Sequence, residues 1–445
     1  MMSAKILRMG VPQRKVFMNK IAASISLVAL GASAVYAGPA YSLSSMQASK
    51  AWSVGLSLRG FYDDNYTLAS SHEQDSFGLS VSPTVGINIP LDQTLITADY
   101  IYTMYYYEDR SDDPVDQTHQ FVFNLTHSFS ERYMVEVKDS FVVAQEPGLI
   151  DPNHSQSSRA NGDNIRNKAS LRFKADITRE VGVVVGYENV YYDYEQDGGN
   201  GVAPYNNPSL SGSLDRMEQT ANVDLRWLMA RSTTGIVGYQ FRDVSYTQNE
   251  PIGFGSGGVG KIVSEDRNSR SHFGYVGADH AFNQTLQGSL RAGVQYTDYY
   301  NDPYDRDPEV SPYVEGSLSY AYTAGGSAQL GFRNARTQTD VVQNTAVADK
   351  FVLDEDTFVV FANVNHQITP KLNGNLFGSL QASTLNGGNY DGDTDMYYDV
   401  GVTLTYSINQ HLSADVSYEF NILDSDISGR DYTRNRIFLG VTAAY

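Results

Sequence analysis

Phe77, Leu79, Val81, Pro83, Val85, Ile87 and Ile89 alternate with Gly78, Ser80, Ser82, Thr84, Gly86 and Asn88. A period of two sets the first group on one face of a strand and the second on the other, which is the lipid-out, water-in pattern of a membrane barrel. The pattern recurs where Leu412, Ala414, Val416, Tyr418, Phe420 and Ile422 oppose Ser413, Asp415, Ser417, Glu419 and Asn421. It recurs again where Ile165, Asn167, Ala169, Leu171, Phe173 and Ala175 oppose Arg166, Lys168, Ser170, Arg172, Lys174 and Asp176, and in the final residues Ile437, Leu439, Val441, Ala443 and Tyr445. Charges fall almost wholly on one parity, and a soluble sheet over a dry core would not tolerate them there.

A short motif separates many of these runs: a large apolar residue, then Ser, Thr or Asn, two mostly polar residues, and an apolar residue that opens the next run. It stands at 129–133, 177–181, 282–286, 368–372 and 408–412, with looser equivalents after Ile89, Leu228 and Tyr322. These eight positions read as tight hairpin turns. Between them lie longer connections dense in Asp, Asn, Gly and Pro, at 146–163, 195–213, 248–266 and 337–356. Short turns on one side and long loops on the other are the asymmetry of an outer-membrane barrel. Eight turns join sixteen strands, and one more at each end makes eighteen, from about 51–62 to about 435–445. The repeat length also approaches that of a β-propeller blade, but a blade holds four short strands where each unit here holds two long ones. The fold class is therefore all-β: a transmembrane antiparallel barrel with short periplasmic turns and long extracellular loops.

Tyr and Phe number 32 and 19 against 2 Trp. Tyr suits a membrane interface, with its ring in lipid and its hydroxyl in water. Tyr105, Tyr106, Tyr107, Tyr191, Tyr192, Tyr194, Tyr296, Tyr299, Tyr300, Tyr397 and Tyr398 lie beside the long loops and are expected to form an outer girdle. Phe129, Trp227, Phe282, Tyr320, Tyr406 and Tyr445 lie near the short turns and are expected to form the inner one.

The first residues carry Lys5, Arg8, Arg14, Lys15 and Lys20, then an apolar run at 21–35 and Ala37 before Gly38 and Pro39. This reads as a signal peptide at 1–37, with Met18 as an alternative start. Residues 38–50 are then a short periplasmic tail and 51–445 the barrel. The formal charge of −19 becomes more negative once the basic presequence is lost, which disfavours nucleic acid as a partner. After the presequence no apolar run approaches the ~18 residues of a membrane helix. With no Cys, disulfides, thiolate metal sites and Cys nucleophiles drop out.

A barrel of eighteen strands leaves an aqueous channel unless something fills it, and the residues before the first strand are too few for a plug. The pore-lining candidates are Arg166, Lys168, Arg172 and Lys174 on one strand, a track of about 26 Å at ~3.3 Å per residue. Arg226, Arg242, Arg270, Arg291 and Arg333 add cations, opposed by Asp99, Glu136, Glu188, Asp224, Glu315, Asp415 and Glu419. One reading is a transverse field that orients polar solutes or selects anions. The other is a wall of cross-strand ion pairs, with Glu136 and Glu188 flanking the basic track. The loop at 146–163, with Asp151, His154 and Arg159, is a candidate constriction, as is 196–213. Asp391, Asp393 and Asp395 alternate in a Gly-containing loop and offer oxygen ligands for Ca²⁺, without the distal Glu of a full Ca²⁺ loop. His127, His280 and His366 stand at equivalent places before short turns, as structural interface residues would, and catalysis finds no other support.

The stretches Phe61-Tyr62-Asp63-Asp64-Asn65-Tyr66, Asp139-Ser140-Phe141-Val142-Val143-Ala144-Gln145-Glu146-Pro147, Asn161-Gly162-Asp163-Asn164-Ile165-Arg166-Asn167, Leu214-Asp215-Arg216 and Arg434-Asn435-Arg436 together resemble the putative outer-membrane β-barrel porin type 2 family. That resemblance implies a Gram-negative outer membrane, surrounding lipid and a pore, and supplies no catalytic or ligand residues. The leading expectation is a non-enzymatic channel for passive diffusion of small hydrophilic solutes, without a cofactor. The alternative is a closed surface barrel whose acidic loops bind polysaccharide, divalent ions or a polysaccharide-export partner, since some related barrels accompany such systems. Wide porins commonly trimerise, so a homotrimer is a further expectation.

Overall fold

The computed structural model describes residues 50–145, 163–195, 210–254, 261–342 and 351–445. The presequence, nearly all of the tail, and the constriction candidates Asp151, His154 and Arg159 lie outside the described residues. The strands are β1 (Trp52–Asp63), β2 (Ser76–Pro90), β3 (Thr94–Tyr107), β4 (Val115–Ser128), β5 (Tyr133–Ala144), β6 (Asn164–Asp176), β7 (Val181–Tyr194), β8 (Arg216–Ala230), β9 (Thr233–Tyr246), β10 (Pro251–Phe254), β11 (Lys261–Val263), β12 (Ser269–Ala281), β13 (Leu286–Asp298), β14 (Glu309–Thr323), β15 (Gly326–Thr337), β16 (Asp354–Thr369), β17 (Leu372–Asn386), β18 (Thr394–Ser407), β19 (Leu412–Ser425) and β20 (Tyr432–Ala444). β10 and β11 form a small hairpin of their own, and the other strands make one 18-stranded antiparallel sheet. β1 pairs with both β2 and β20, so the sheet closes on itself and has no edge.

The eight short connections stand where the motif predicts. In five of them its Ser, Thr or Asn makes the turn. The Asn283 side chain accepts the N–H groups of Thr285 and Leu286, Thr178 those of Glu180 and Val181, and Thr369 those of Lys371 and Leu372. Ser130 and Asn409 accept from Arg132 and His411 in the same way. Such side chains replace the backbone acceptor that a turn lacks.

The alternation also sets the two faces. On β2, Phe77 is 62% exposed while Ser82 is 1% exposed. Phe129, Trp227, Phe282, Tyr320, Tyr406 and Tyr445 are all exposed around the short-turn end, as an inner girdle requires. His127 and His280 sit edge-on to Phe129 and Phe282 and bond to Thr94 and Thr233, so their repetition is structural. The outer girdle needs correction. Tyr107, Tyr192, Tyr194 and Tyr397 are buried on the inner face, and Tyr299 is buried in a loop cluster. Adjacent tyrosines on a strand of period two cannot share a face. Tyr106, Tyr191, Tyr296 and Tyr398 face outward, joined by Tyr100 and Tyr239.

Two stretches singled out in the sequence meet where the barrel closes. Asp63 at the end of β1 is fully buried and receives the Arg434 guanidinium from β20. Next to it Asp64 accepts the Asn435 backbone N–H and side-chain amide, each at 2.6 Å, and Asn65 donates to the Thr433 carbonyl at 3.0 Å. Breaking a buried pair by removing one partner leaves a charge with nothing to offset its desolvation, at about 3–5 kcal/mol. Asp63→Ala is expected to lower the unfolding free energy of the refolded barrel by about 3 kcal/mol in urea titrations. The apolar double change Asp63→Leu with Arg434→Leu should lose less than the single one.

Candidate functional site

The inner wall is the surface on which a solute would act, and glycine shapes it. Phe61, Tyr275 and Phe361 point inward, and each stands directly across from a glycine, Gly78, Gly238 and Gly331 respectively. A Cβ on Gly331 would come within 2.3 Å of the Phe361 ring. The missing side chains therefore let large neighbours lie flat along the wall. The small inward residues of β2 do not open the lumen at Gly78, because the Phe61 ring fills the space beside it.

Inward charges are mostly paired. Arg226 meets Asp279 at 2.7 Å, Asp279 meets Arg291 at 3.8 Å, and Arg291 meets Glu315 at 3.2 Å, an alternating chain across β8, β12, β13 and β14. Lys168 pairs with Glu188 at 3.3 Å and Lys174 with Asp176 at 3.4 Å, so part of the basic track is the ion-paired wall. Arg59–Asp415 and Arg436–Glu419 add pairs at 2.9 and 2.8 Å. Arg172 is exposed on the inner face opposite Glu136. Arg166 is buried near the upper end of the same strand. Asp99 stands against Gly86, and Asp224 accepts the Tyr275 hydroxyl at 2.6 Å. Arg242 and Arg333 lie over the Phe273 and Tyr313 rings, which themselves touch edge to face at 5.3 Å. Arg270 is a correction: Ser269, Ser271 and Phe273 take the inner face, so Arg270 points outward, where it binds Asp243 at 3.1 Å and stacks on Tyr300. Asp279, which completes the alternating chain, went unread in the sequence because Phe273 and Tyr275 on the inner face of β12 obscure the parity that would place it there.

Among the described residues, the segment after β15 enters the mouth, as do Leu68, which packs on the inward Tyr397, and Leu214, which packs on the inward Tyr192. β14 and β15 pair only as far as Val314 and Asn334, whereas β15 and β16 pair on to Thr337 and Glu355. The separation begins at Pro312. Backbone N–H and C=O of an extended residue point to the same side, and Pro312 has no N–H to give β15. Its carbonyl takes the Asn334 side-chain amide at 2.9 Å instead. The freed hairpin end bends inward across β14. Arg336 then exchanges backbone hydrogen bonds with the Gln295 side chain on β13 at 2.9 and 3.2 Å, and its carbonyl accepts from Arg242 on β9 at 2.8 Å. Ala335 packs among the inward Ile236, Phe273, Tyr275 and Tyr313.

This loop is fastened from several sides. Arg267, fully buried as the last residue of the 3-10 turn Ser264–Arg267, donates to the carbonyls of Thr339 at 2.7 Å, Ser213 at 3.1 Å and Leu353 at 3.4 Å, and lies over the Tyr246 ring. Ser213 belongs to the short helix α1 (Leu210–Leu214). Arg430 binds Asp340 at 2.6 Å and Asp395 at 2.8 Å. Burial alone would favour losing its proton, but the two carboxylates raise its pKa and hold it charged. Arg306 stacks on Phe351 and grips Asp302. Burial would raise the Asp302 carboxyl, yet the Arg306 hydrogen bonds outweigh it and hold the group below the usual carboxylate range. Val341 and Val352 pack on Leu385 of β17. The Ca²⁺ candidates do not converge: Asp395 serves Arg430 and Ser425, Asp391 accepts the Gly387 N–H, and no cluster of three or more metal-binding side chains stands among the described residues.

The family model described as "Putative beta-barrel porin 2" matches residues 261–445, which bears out the resemblance read in the sequence. No curated protein matches the chain. Among solved structures, the outer membrane protein OpdK of Pseudomonas aeruginosa is similar at 11% identity and a TM-score of 0.42, over 88% of this chain and 99% of that one. OccAB3 of Acinetobacter baumannii is similar at 10% identity and 0.40, over 88% and 99%. With its closed barrel, apolar outer band and porin-family match, the chain is a porin-like protein of the bacterial outer membrane.

Arg267→Met is expected to loosen the inward segment without unfolding the barrel. A single charge-assisted bond of about 1.5 kcal/mol corresponds to about tenfold in a local opening equilibrium. Limited proteolysis should cut between β15 and β16 at least about tenfold faster, with unchanged strand signal in circular dichroism.

Proposed function

We propose that this porin-like barrel passes small hydrophilic solutes passively, and that the segment between β15 and β16, rather than the basic track on β6, sets its conductance. The observation that carries the reading is the gradient of burial down the inner wall. Near the short turns, Thr97, Ser170, Arg226, Ser289, Gln329, Asn375 and Thr403 are half-buried and line a wetted vestibule. Near the long loops, Tyr192, Tyr246, Phe273, Gln295, Tyr313, Ser383 and Asn421 are buried beneath inward-folded chain. A solute entering from outside meets that packing before it meets the vestibule.

The paired charges support weak selectivity. An ion pair that is already satisfied presents little net field to a passing ion, so the strongest remaining lever on the track is Arg172. A second reading draws on the same packing: a surface barrel closed at its mouth, whose acidic loops hold polysaccharide, divalent ions or an export partner.

Planar-bilayer recording separates the two. The diffusion channel gives stepwise currents, and removing residues 338–353 should raise the unit conductance several-fold. Properly folded protein that stays silent, both intact and loop-deleted, would sink the channel reading. In a salt gradient, reversing Arg172 to Glu is expected to move the zero-current potential further than reversing Lys168 or Lys174; equal shifts would show that the pairing does not screen them.

A further inference from the structure

One row of outward side chains crosses the barrel in direct register: Ile87, Ala98, Phe123, Asp139, Ala169, Asn189, Gln219, Asp243, Arg270 and Asp298, from β2 to β13. Because strands tilt, the row climbs from near the short-turn end of β2 to the long-loop end of β13. Apolar members at its foot and charged members at its top match a passage from lipid to water. Asp139 breaks the match. It is six residues above Tyr133, the first residue of β5, and at ~3.3 Å per residue and ~40° tilt that is about 15 Å up a ~25 Å apolar band. Other outward acids among the described residues, such as Asp193, Asp243, Asp298, Asp356 and Asp424, stand ten or more residues from the short-turn ends of their strands.

Toward β6 and β7 the outer face beside this carboxylate is polar and shallow, while toward β4 it meets Phe123. Asn167 donates to it at 3.0 Å, which joins on the outside of the wall two of the stretches that carry the family resemblance. Ala169 leaves a gap in the row between Asp139 and Asn189, and beyond Asn189 the Tyr187 hydroxyl bonds Gln219 at 3.3 Å. An acceptor-only group on β5 thus faces outward beside hydroxyl and amide donors on β7, with a small residue between them on β6. That order is self-complementary. Tyr187 is six residues above Val181, the first residue of β7, and so stands at the level of Asp139. A two-fold axis along the membrane normal, passing between two β6 strands, sets β5 of one copy against β7 of the other at equal height.

We infer that the outer face of β5, β6 and β7 is a self-association surface on which a second copy of this chain docks. Asp139 of each copy accepts hydrogen bonds from the Asn189 amide of the other and from its Tyr187 hydroxyl, which turns from Gln219 to do so, and Ala169 meets Ala169 at the axis. The contact takes a carboxylate out of hydrocarbon, where its exposure is unfavourable, and gives it the donors that lipid lacks. It makes an isologous pair rather than a threefold ring.

The absence of Cys allows a direct test. Ala169→Cys, and as a control Leu376→Cys on β17 at the far side of the barrel, are introduced singly into the full chain and oxidised with copper phenanthroline in isolated outer membranes. The inference expects a disulfide dimer for Ala169→Cys and none for Leu376→Cys. Adding Asp139→Leu should cut the dimer fraction about tenfold while the heat-modifiable folded band persists; if that variant does not fold, Tyr187→Phe with Asn189→Leu serves the same purpose. Monomer alone from Ala169→Cys, equal crosslinking from both single variants, or dimer yield unchanged by loss of Asp139 would overturn it. In the first case, higher thermal stability of Asp139→Leu would mark the face as lipid-exposed.

Discussion

In hydrocarbon an unpaired backbone N–H or C=O costs several kcal/mol, and the need to avoid one places every strand of this protein. A sheet that crosses the membrane must therefore close, and the pairing that closes it joins residues almost the full chain apart. Backbone hydrogen bonds carry that seam through the apolar band, from Gly55 opposite Ala444 to Asp63 opposite Arg436. Above the band, where water can compete for the same groups, side chains take over. Asp63, Asp64 and Asn65 grip Arg434, Asn435 and the carbonyl of Thr433, which fixes the register of the closing pair at the point where it would fray.

The same constraint explains where the wall is allowed to part. β15 leaves β14 only near the long-loop end, past Asn334, at a proline that has no N–H to lose. An equivalent break in mid-band would leave donors facing lipid. Its consequence is disproportionate to its size, because the hairpin end that peels away carries its loop under the mouth, where Gln295 and Arg242 satisfy the displaced backbone. Buried arginines serve here as connectors between distant loops: Arg267 binds carbonyls from α1 and from both ends of the β15–β16 connection, and so ties these and its own 3-10 turn into one unit.

Strand parity, turn positions and strand number were legible in the sequence because each depends on neighbours two to five residues away. Ser130, Thr178, Asn283, Thr369 and Asn409 announce their turns by accepting N–H groups two or three residues on, and that chemistry is local. The inward segment was not legible. Its anchors, such as Arg336 on Gln295 and Arg430 on Asp340, join residues 41 and 90 positions apart, and no pattern in either partner names the other. The Tyr clusters misled for a different reason: composition places them near the interface, but only parity decides which of two adjacent rings meets lipid. Arg270 shows the same limit, since its strand carries Ser, Phe and Tyr on the inner face and a cation on the outer one.

Glycine ties these strands of the argument together. On the inner wall Gly78, Gly238 and Gly331 each stand across from an aromatic ring that lies down over them, so a residue that sequence reading associates with empty space produces a smooth, filled surface. Flattened rings and paired charges leave few groups standing free in the lumen near the loops, and the inward segment packs on that surface through Ala335, Val341 and Val352. A ring standing upright there would collide with it. The glycines therefore act on the loop at one remove: they make the wall flat enough for described residues on either side of the β15–β16 connection to seat against it.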